Sequence, residues 1–218
     1  MSPELFSLAP DPDEAEAAAG AALIAQGADF LKGVVAMSGL PAPDRLEVCF
    51  AGRSNVGKSS LINALTARRA LARASNTPGR TQEINYFTLG PIYVVDLPGY
   101  GYAKAPKPVV AKWQALLKSY LAGRATLRRA FLLIDSRHGP KPVDEEIMSL
   151  LDSAAVTFQA VLTKIDKPKP AEREASITAL RKSLARHPAA YPEIVATSSE
   201  TGAGLPTLRS IIADMAAG

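Results

Sequence analysis

Gly52-Arg53-Ser54-Asn55-Val56-Gly57-Lys58-Ser59-Ser60 follows the apolar run Leu46-Glu47-Val48-Cys49-Phe50-Ala51 and opens into Leu61-Ile62-Asn63-Ala64-Leu65. The first run reads as a short buried strand and the last as the opening turns of a helix. In that setting GxxxxGK[ST] is a phosphate-binding loop. Gly52 and Gly57 let the chain turn tightly, so that successive backbone N–H groups and the positive end of the helix converge on phosphate oxygens. Lys58 supplies a point charge to the β- and γ-phosphates, the Ser59 hydroxyl is placed to ligate Mg²⁺, and Ser60 lies near the α-phosphate.

At 218 residues the chain is long enough for one good-sized core and too short for two large domains. No apolar run approaches the roughly 20 residues that cross a bilayer, and MSPELF carries no charged leader of the secretory kind. The single cysteine, Cys49, has no internal partner and reads as a core residue of a cytoplasmic protein. Net charge is +4, yet the first twenty residues hold five of the 21 acids and none of the 25 bases, so the remainder is nine charges positive. A basic body favours a polyanionic partner such as RNA, although many basic proteins bind none.

The acidic, proline-containing stretch 1–20 is expected to be a flexible tail, with one domain over 21–218 that begins with a helical extension. The spacing of Leu23, Ile24, Phe30, Leu31, Val34 and Val35 suggests a helix or helix-and-turn from Ala21 to Met37. Ile84 to Thr88 and Ile92 to Val95 form two strands joined around Gly90-Pro91. Strands and helices then alternate: Ala130–Ile134, Val143–Leu151, Val156–Leu162, Ala171–Arg186, Ile194–Ala196 and Leu205–Met215. The pattern predicts an α/β fold, a mixed and mostly parallel sheet with helices on both faces, and sites at the C-terminal ends of the strands.

Three further stretches fall at such strand ends. In Asp96-Leu97-Pro98-Gly99 the carboxylate can reach the Mg²⁺ shell and the Gly99 N–H can meet a γ-phosphate. In Thr163-Lys164-Ile165-Asp166 the Asp166 carboxylate can accept both N1–H and the 2-amino group of guanine, while the stem of Lys164 lies along the ring. Adenine offers neither donor in that arrangement and would leave the carboxylate unpaired. Thr197-Ser198-Ser199 completes the base site, with the Ser199 N–H toward the guanine O6 and Ser198 bracing the loop. Between these, Ser75 to Gln82 is loop-like; Gly79 and Arg80 are candidate nucleotide contacts, and Thr81 is the candidate for the second hydroxyl on Mg²⁺. Ordering of this loop by the γ-phosphate and its release on hydrolysis would make a switch.

These motifs together, with the Tyr100-Gly101-Tyr102-Ala103 continuation after Gly99, resemble the bacterial EngB family, also called YsxC or YihA, over roughly Ala21 to Ala213. The resemblance implies a three-layer P-loop fold of the Ras-like GTPase type and slow conversion of GTP to GDP. It also implies a role in large ribosomal subunit assembly, needed for normal growth and division. Tyr100 stands where Ras-like enzymes place a water-orienting glutamine, and a phenol is a poor base at neutral pH. Catalysis then rests on Lys58, Thr81 and Gly99, with Asn55 a further candidate. In related GTPases an asparagine at this place helps hold a K⁺ ion across the phosphates; the alternative is that Asn55 only braces the loop. Lys104, Lys107, Lys112 and Lys118 are candidates for RNA phosphate contacts or a plain solvated face. The partner implied is the large subunit or its precursor, with no membrane and a monomeric chain; a non-catalytic guanine-nucleotide-controlled binding module is the competing reading.

Overall fold

A computed structural model describes residues 2, 5–72, 83–100 and 107–218, with the side chains of 107–113 outside that description. Among these residues eight strands form one sheet in the order β1-β8-β7-β6-β3-β5-β4-β2. They are β1 (Ser7–Leu8), β2 (Ala28–Val34), β3 (Glu47–Gly52), β4 (Ile84–Leu89), β5 (Ile92–Asp96), β6 (Leu127–Asp135), β7 (Phe158–Thr163) and β8 (Glu193–Ala196). The helices are α1 (Glu14–Ala25), α2 (Lys58–Leu65), α3 (Lys107–Gly123), α4 (Pro142–Ser153), α5 (Pro170–Leu184) and α6 (Leu205–Ala217). β3 lies parallel to both β5 and β6, and the predicted β4–β5 hairpin turns at Gly90.

Alternation along the central strands splits the core into two layers. Cys49, Ala51, Ala130, Leu132 and Ile134 face α3, α4 and α5 through Tyr120, Met148 and Leu180. Val48, Phe50, Phe131 and Leu133 face α2 and α6 through Leu61, Ile62, Leu208 and Ile212. Helices on both faces therefore cover the parallel centre, as its near-continuous apolar strands require. Beneath the sheet, at the start of β3, the fully buried Glu47 carboxylate accepts from the Tyr86 hydroxyl at 3.1 Å, the Tyr120 hydroxyl at 2.9 Å, Arg124 Nε at 2.6 Å and the Thr126 hydroxyl at 3.1 Å. This one group ties β3, β4 and the end of α3 together on the side away from the phosphate loop.

Two expectations about the N-terminal region are corrected. Within the stretch expected to be a flexible tail, residues 5–20 are built onto the domain: Phe6 is buried, its carbonyl accepts from Arg181 Nε at 2.8 Å, and β1 adds a parallel strand beside β8. Asp13 and Glu16, two of the acids that suggested a tail, form a reciprocal cap for α1. That helix packs on α6 so closely that a Cβ at Gly20 would stand 2.9 Å from the Ser210 nitrogen. The helix expected from Ala21 to Met37 ends at Ala25, and its second half is β2, an edge strand antiparallel to β4. A register shift between Phe30 and Lys32 leaves Phe30 and Leu31 both exposed, which breaks the alternation that would have marked a strand.

Candidate nucleotide site

The phosphate loop leaves β3 at Gly52 and enters α2 at Lys58, with Gly57 as the N-cap at φ +104° and Asn55 at φ +65°. Both lie in the left-handed region, which curls the loop back over the helix start. A Cβ on Gly52 would sit 2.7 Å from Val56 Cγ1 and 3.0 Å from Leu133 Cβ, so the turn closes only on glycine. The result is a tightly curled cradle above the first turn of a helix, whose positive end suits a nucleotide's phosphates.

Two side chains from the end of β7 hold this cradle from behind. The Thr163 hydroxyl donates to the Val56 carbonyl at 2.7 Å, and Lys164 Nζ donates to the Asn55 carbonyl at 2.7 Å. Lys164 itself adopts φ +59°. Its ammonium is also received by Asp135 at the end of β6, at 2.9 Å. Asp135 further accepts from Arg137 through Nε at 2.9 Å, a terminal guanidinium nitrogen at 2.7 Å and the backbone N–H at 3.0 Å. Burial alone would raise this carboxyl's pKa, but the hydrogen bonds from Arg137 and Lys164 prevail and hold it well below the usual range.

The base-reading segments meet as well. Ser198 is buried; its hydroxyl accepts from the Glu200 and Thr201 N–H groups at 3.2 and 3.1 Å. A hydrogen bond to Ser198 and then one to Lys167 lower the pKa of Asp166, which keeps this carboxylate ionised. The Ile165 N–H donates to the Thr197 carbonyl at 3.2 Å, and the Thr197 hydroxyl donates to the Leu162 carbonyl at 2.9 Å. Ser199 follows, half-buried, on the same turn. Gly204 makes that turn possible: at φ +69°, a Cβ there would overlap the Ala196 carbonyl oxygen at 1.9 Å.

On the other flank, Lys58 Nζ and the Asp96 carboxylate at the end of β5 are in direct contact. Lys58 and Asp96 thus converge on one spot, and Ser59 follows Lys58 in the first turn of α2; a hydroxyl and a carboxylate are hard-oxygen donors of the kind that Mg²⁺ takes. Gly99 packs on the loop, where a Cβ would lie 3.2 Å from Ser54 Oγ. Tyr100 is buried, and its hydroxyl donates to Asp144 Oδ1 at 2.8 Å. Burial, with the Asp144 charge beside it, pushes the phenol's pKa well above its ordinary value. Gly79, Arg80 and Thr81, with Lys104, lie outside the described residues, as do the side chains of Lys107 and Lys112; Lys118 is exposed on α3.

Sequence reasoning missed two carboxylates that organise this region. Asp135 receives Lys164 from below, and Asp144, on the first turn of α4, receives Tyr100 and Arg53. A polar residue closing an apolar strand on the same sheet edge as the other motifs was the available signal for Asp135. Asp144 had none, because a lone acid in a helix's first turn is ordinary.

A model of the 50S ribosome-binding GTPase family matches residues 47–164. A probable GTP-binding protein EngB from Roseobacter denitrificans is 71% identical over 211 residues, covering 96% of this chain and 98% of the relative. Its counterpart from Rhodospirillum rubrum is 53% identical over 214 residues, covering 94% and 93%. Among solved structures, a probable GTP-binding protein engB superposes with TM-score 0.64 at 24% identity, covering 78% of this chain and 98% of that one. A variant of Aquifex aeolicus Era bound to GDP·AlF4⁻ does so with TM-score 0.59 at 25% identity, covering 77% and 56%. The phosphate cradle, the strand-end aspartates and these matches agree: the chain belongs to the EngB family of GTP-binding proteins.

Proposed function

We propose that this protein hydrolyses GTP to GDP and phosphate and acts as a nucleotide-dependent switch in assembly of the large ribosomal subunit. The observation that carries the reading is the stitching of the 163–166 segment onto the phosphate loop through Thr163–Val56 and Lys164–Asn55. Guanine recognition by Asp166 and phosphate recognition by residues 52–60 are then parts of one rigid site. The family model's description as 50S ribosome-binding, and the basic body of the chain, support a ribosomal partner.

In this reading Gly52 to Ser60 and Gly99 bind the phosphates, and Ser59, Asp96 and Thr81 hold Mg²⁺, which neutralises charge on the β- and γ-oxygens. Lys58 places its ammonium at the same oxygens. Tyr100 is turned into the core with its hydroxyl engaged, so it supplies no base, and intrinsic turnover is slow with electrostatics carrying the rate. Asn55 has its carbonyl committed to Lys164 while its side chain is exposed, which leaves the amide able to serve a K⁺ ion. Equal turnover in potassium and sodium at matched ionic strength would remove that role.

Co-sedimentation with separated subunits and immature particles, in GDP and in a non-hydrolysable GTP analogue across a salt series, tests the switch. Selective large-subunit binding with the analogue, and single-turnover hydrolysis accelerated on that particle, are expected. Equal binding in both nucleotides that vanishes as salt rises would defeat it. Nucleotide-dependent binding without accelerated hydrolysis would favour the binding-module reading, which the commitment of Tyr100 to Asp144 also supports.

A further inference from the structure

Three segments far apart in sequence meet on the carboxylate of Asp144. It is fully buried, and Oδ2 accepts the Lys141 N–H at 2.8 Å, closing the start of α4. Oδ1 accepts the Tyr100 hydroxyl at 2.8 Å. Arg53, the second residue of the phosphate loop, brings its Nε to 3.1 Å from Oδ2, an ion pair without hydrogen-bond alignment that leaves two buried guanidinium nitrogens unmatched. The backbone repeats the connection: the Tyr100 N–H donates to the Gly52 carbonyl at 3.3 Å, and the Ser54 N–H donates to the Tyr100 carbonyl at 3.1 Å. Gly99 lies between, against Ser54.

We propose that Asp144 is a positioning residue for the GTP-bound state: by holding Tyr100 and Arg53 together, it sets the Gly99 backbone against the phosphate loop, ready for a terminal phosphate. The inference rests on the guanine-nucleotide reading above. Asp144 reaches no phosphate itself; it acts through Tyr100, one residue beyond the N–H that would meet the γ-phosphate. GDP lacks that phosphate and gains nothing from the arrangement. A carboxylate buried only for stability would serve both nucleotides alike.

Tyr100→Phe removes one hydroxyl and keeps the ring in the core, and Asp144→Asn keeps the side chain's size. Both variants and their combination are titrated with GDP and with a non-hydrolysable GTP analogue. Amide hydrogen exchange at Ser54 and Tyr100 is measured in the nucleotide-free proteins. Each single variant is expected to weaken the analogue about five- to tenfold, to leave GDP within about twofold, and to speed exchange at both amides. The double variant should cost no more than the worse single one, because the two groups act through each other. An unchanged ratio of GDP to analogue affinity, additive losses, or unaltered exchange would overturn the assignment. A wild-type protein that does not prefer guanine over adenine nucleotides would overturn the functional reading and this role with it, whereas wild-type preference with an unchanged ratio in the variants overturns this role alone.

Discussion

Asp135→Asn isolates how the 163–166 segment, assigned above to guanine, is held. The substitution keeps the side chain's size and removes the charge that faces Lys164 Nζ at 2.9 Å and the Arg137 guanidinium at 2.7 and 2.9 Å. Arg137 is 43% exposed, so water recovers much of what it loses, and its share is discounted. The better-shielded Lys164 contact, with the carboxylate itself 5% exposed, carries most of the effect. A hydrogen bond to a charged group contributes about 1.5–3 kcal/mol, so a loss of about 2 kcal/mol in unfolding free energy at pH 7 is expected. Because the folded carboxyl's pKa is depressed below its unfolded value of about 3.9, the wild-type advantage is complete above that pH. It is lost as pH falls toward the folded value, so the gap between wild type and variant should narrow below about pH 4. Lys164 keeps its bond to the Asn55 carbonyl but loses its second anchor, and GDP affinity should fall about tenfold, or about 1.4 kcal/mol. Urea unfolding at pH 7 and pH 3.5, with GDP titrations at pH 7, measures both. A stability gap that does not change with pH, or GDP affinity within twofold of wild type, would refute the reasoning.

Glu47→Gln should cost about 3–5 kcal/mol, because it leaves the Arg124 guanidinium buried without its counter-charge. GDP affinity should stay unchanged in chemical-denaturation-matched conditions, since Glu47 sits at the opposite end of β3 from the loop; a loss under about 1 kcal/mol in guanidinium unfolding would contradict this. Phe6→Ala empties a fully packed position and should lower stability by about 3–5 kcal/mol in thermal unfolding. A shift too small to resolve would mean that the N-terminal segment is peripheral after all. Thr163→Val strips the hydroxyl from the Val56 carbonyl and should cost about 1–3 kcal/mol together with weaker GDP binding; intact GDP affinity would show that the loop holds its shape without this brace.

The parts of the fold that were legible in the sequence are those the backbone itself dictates. Few residues other than glycine fit positions 52 and 57, where the turn is tight or φ is positive, and the continuous apolar run of β6 has few places other than the middle of a covered sheet. The N-terminal region was obscure for physical reasons. The apolar face of α1 is written mostly in alanine, and its tight seat on α6 depends on Gly20 rather than on large side chains. In β2 the irregularity after Phe30 replaced alternation with a spacing that mimics a helix. At the site, the residues assigned to ligand contact carry recognisable spacing, whereas those that hold them in place do not. Asp135 and Asp144 become visible only when β6 and α4 are brought beside Lys164 and Tyr100.

The strand order gives these supports a common logic. β3 lies between β5 and β6, with β7 beyond β6, so the phosphate loop has Asp96 on one side and Asp135 and Thr163 on the other. Each flank reaches inward to the loop rather than outward to solvent: Asp96 to Lys58, Tyr100 to Gly52 and Ser54, Thr163 to Val56, Lys164 to Asn55. Among the described residues, the base side is tied by side chains with several partners each, and the Gly99–Tyr100 side by two backbone bonds and one hydroxyl. On the function proposed above, release of the Gly99 flank alone would leave the 163–166 segment anchored to the loop, as a switch that stays bound to GDP after hydrolysis requires.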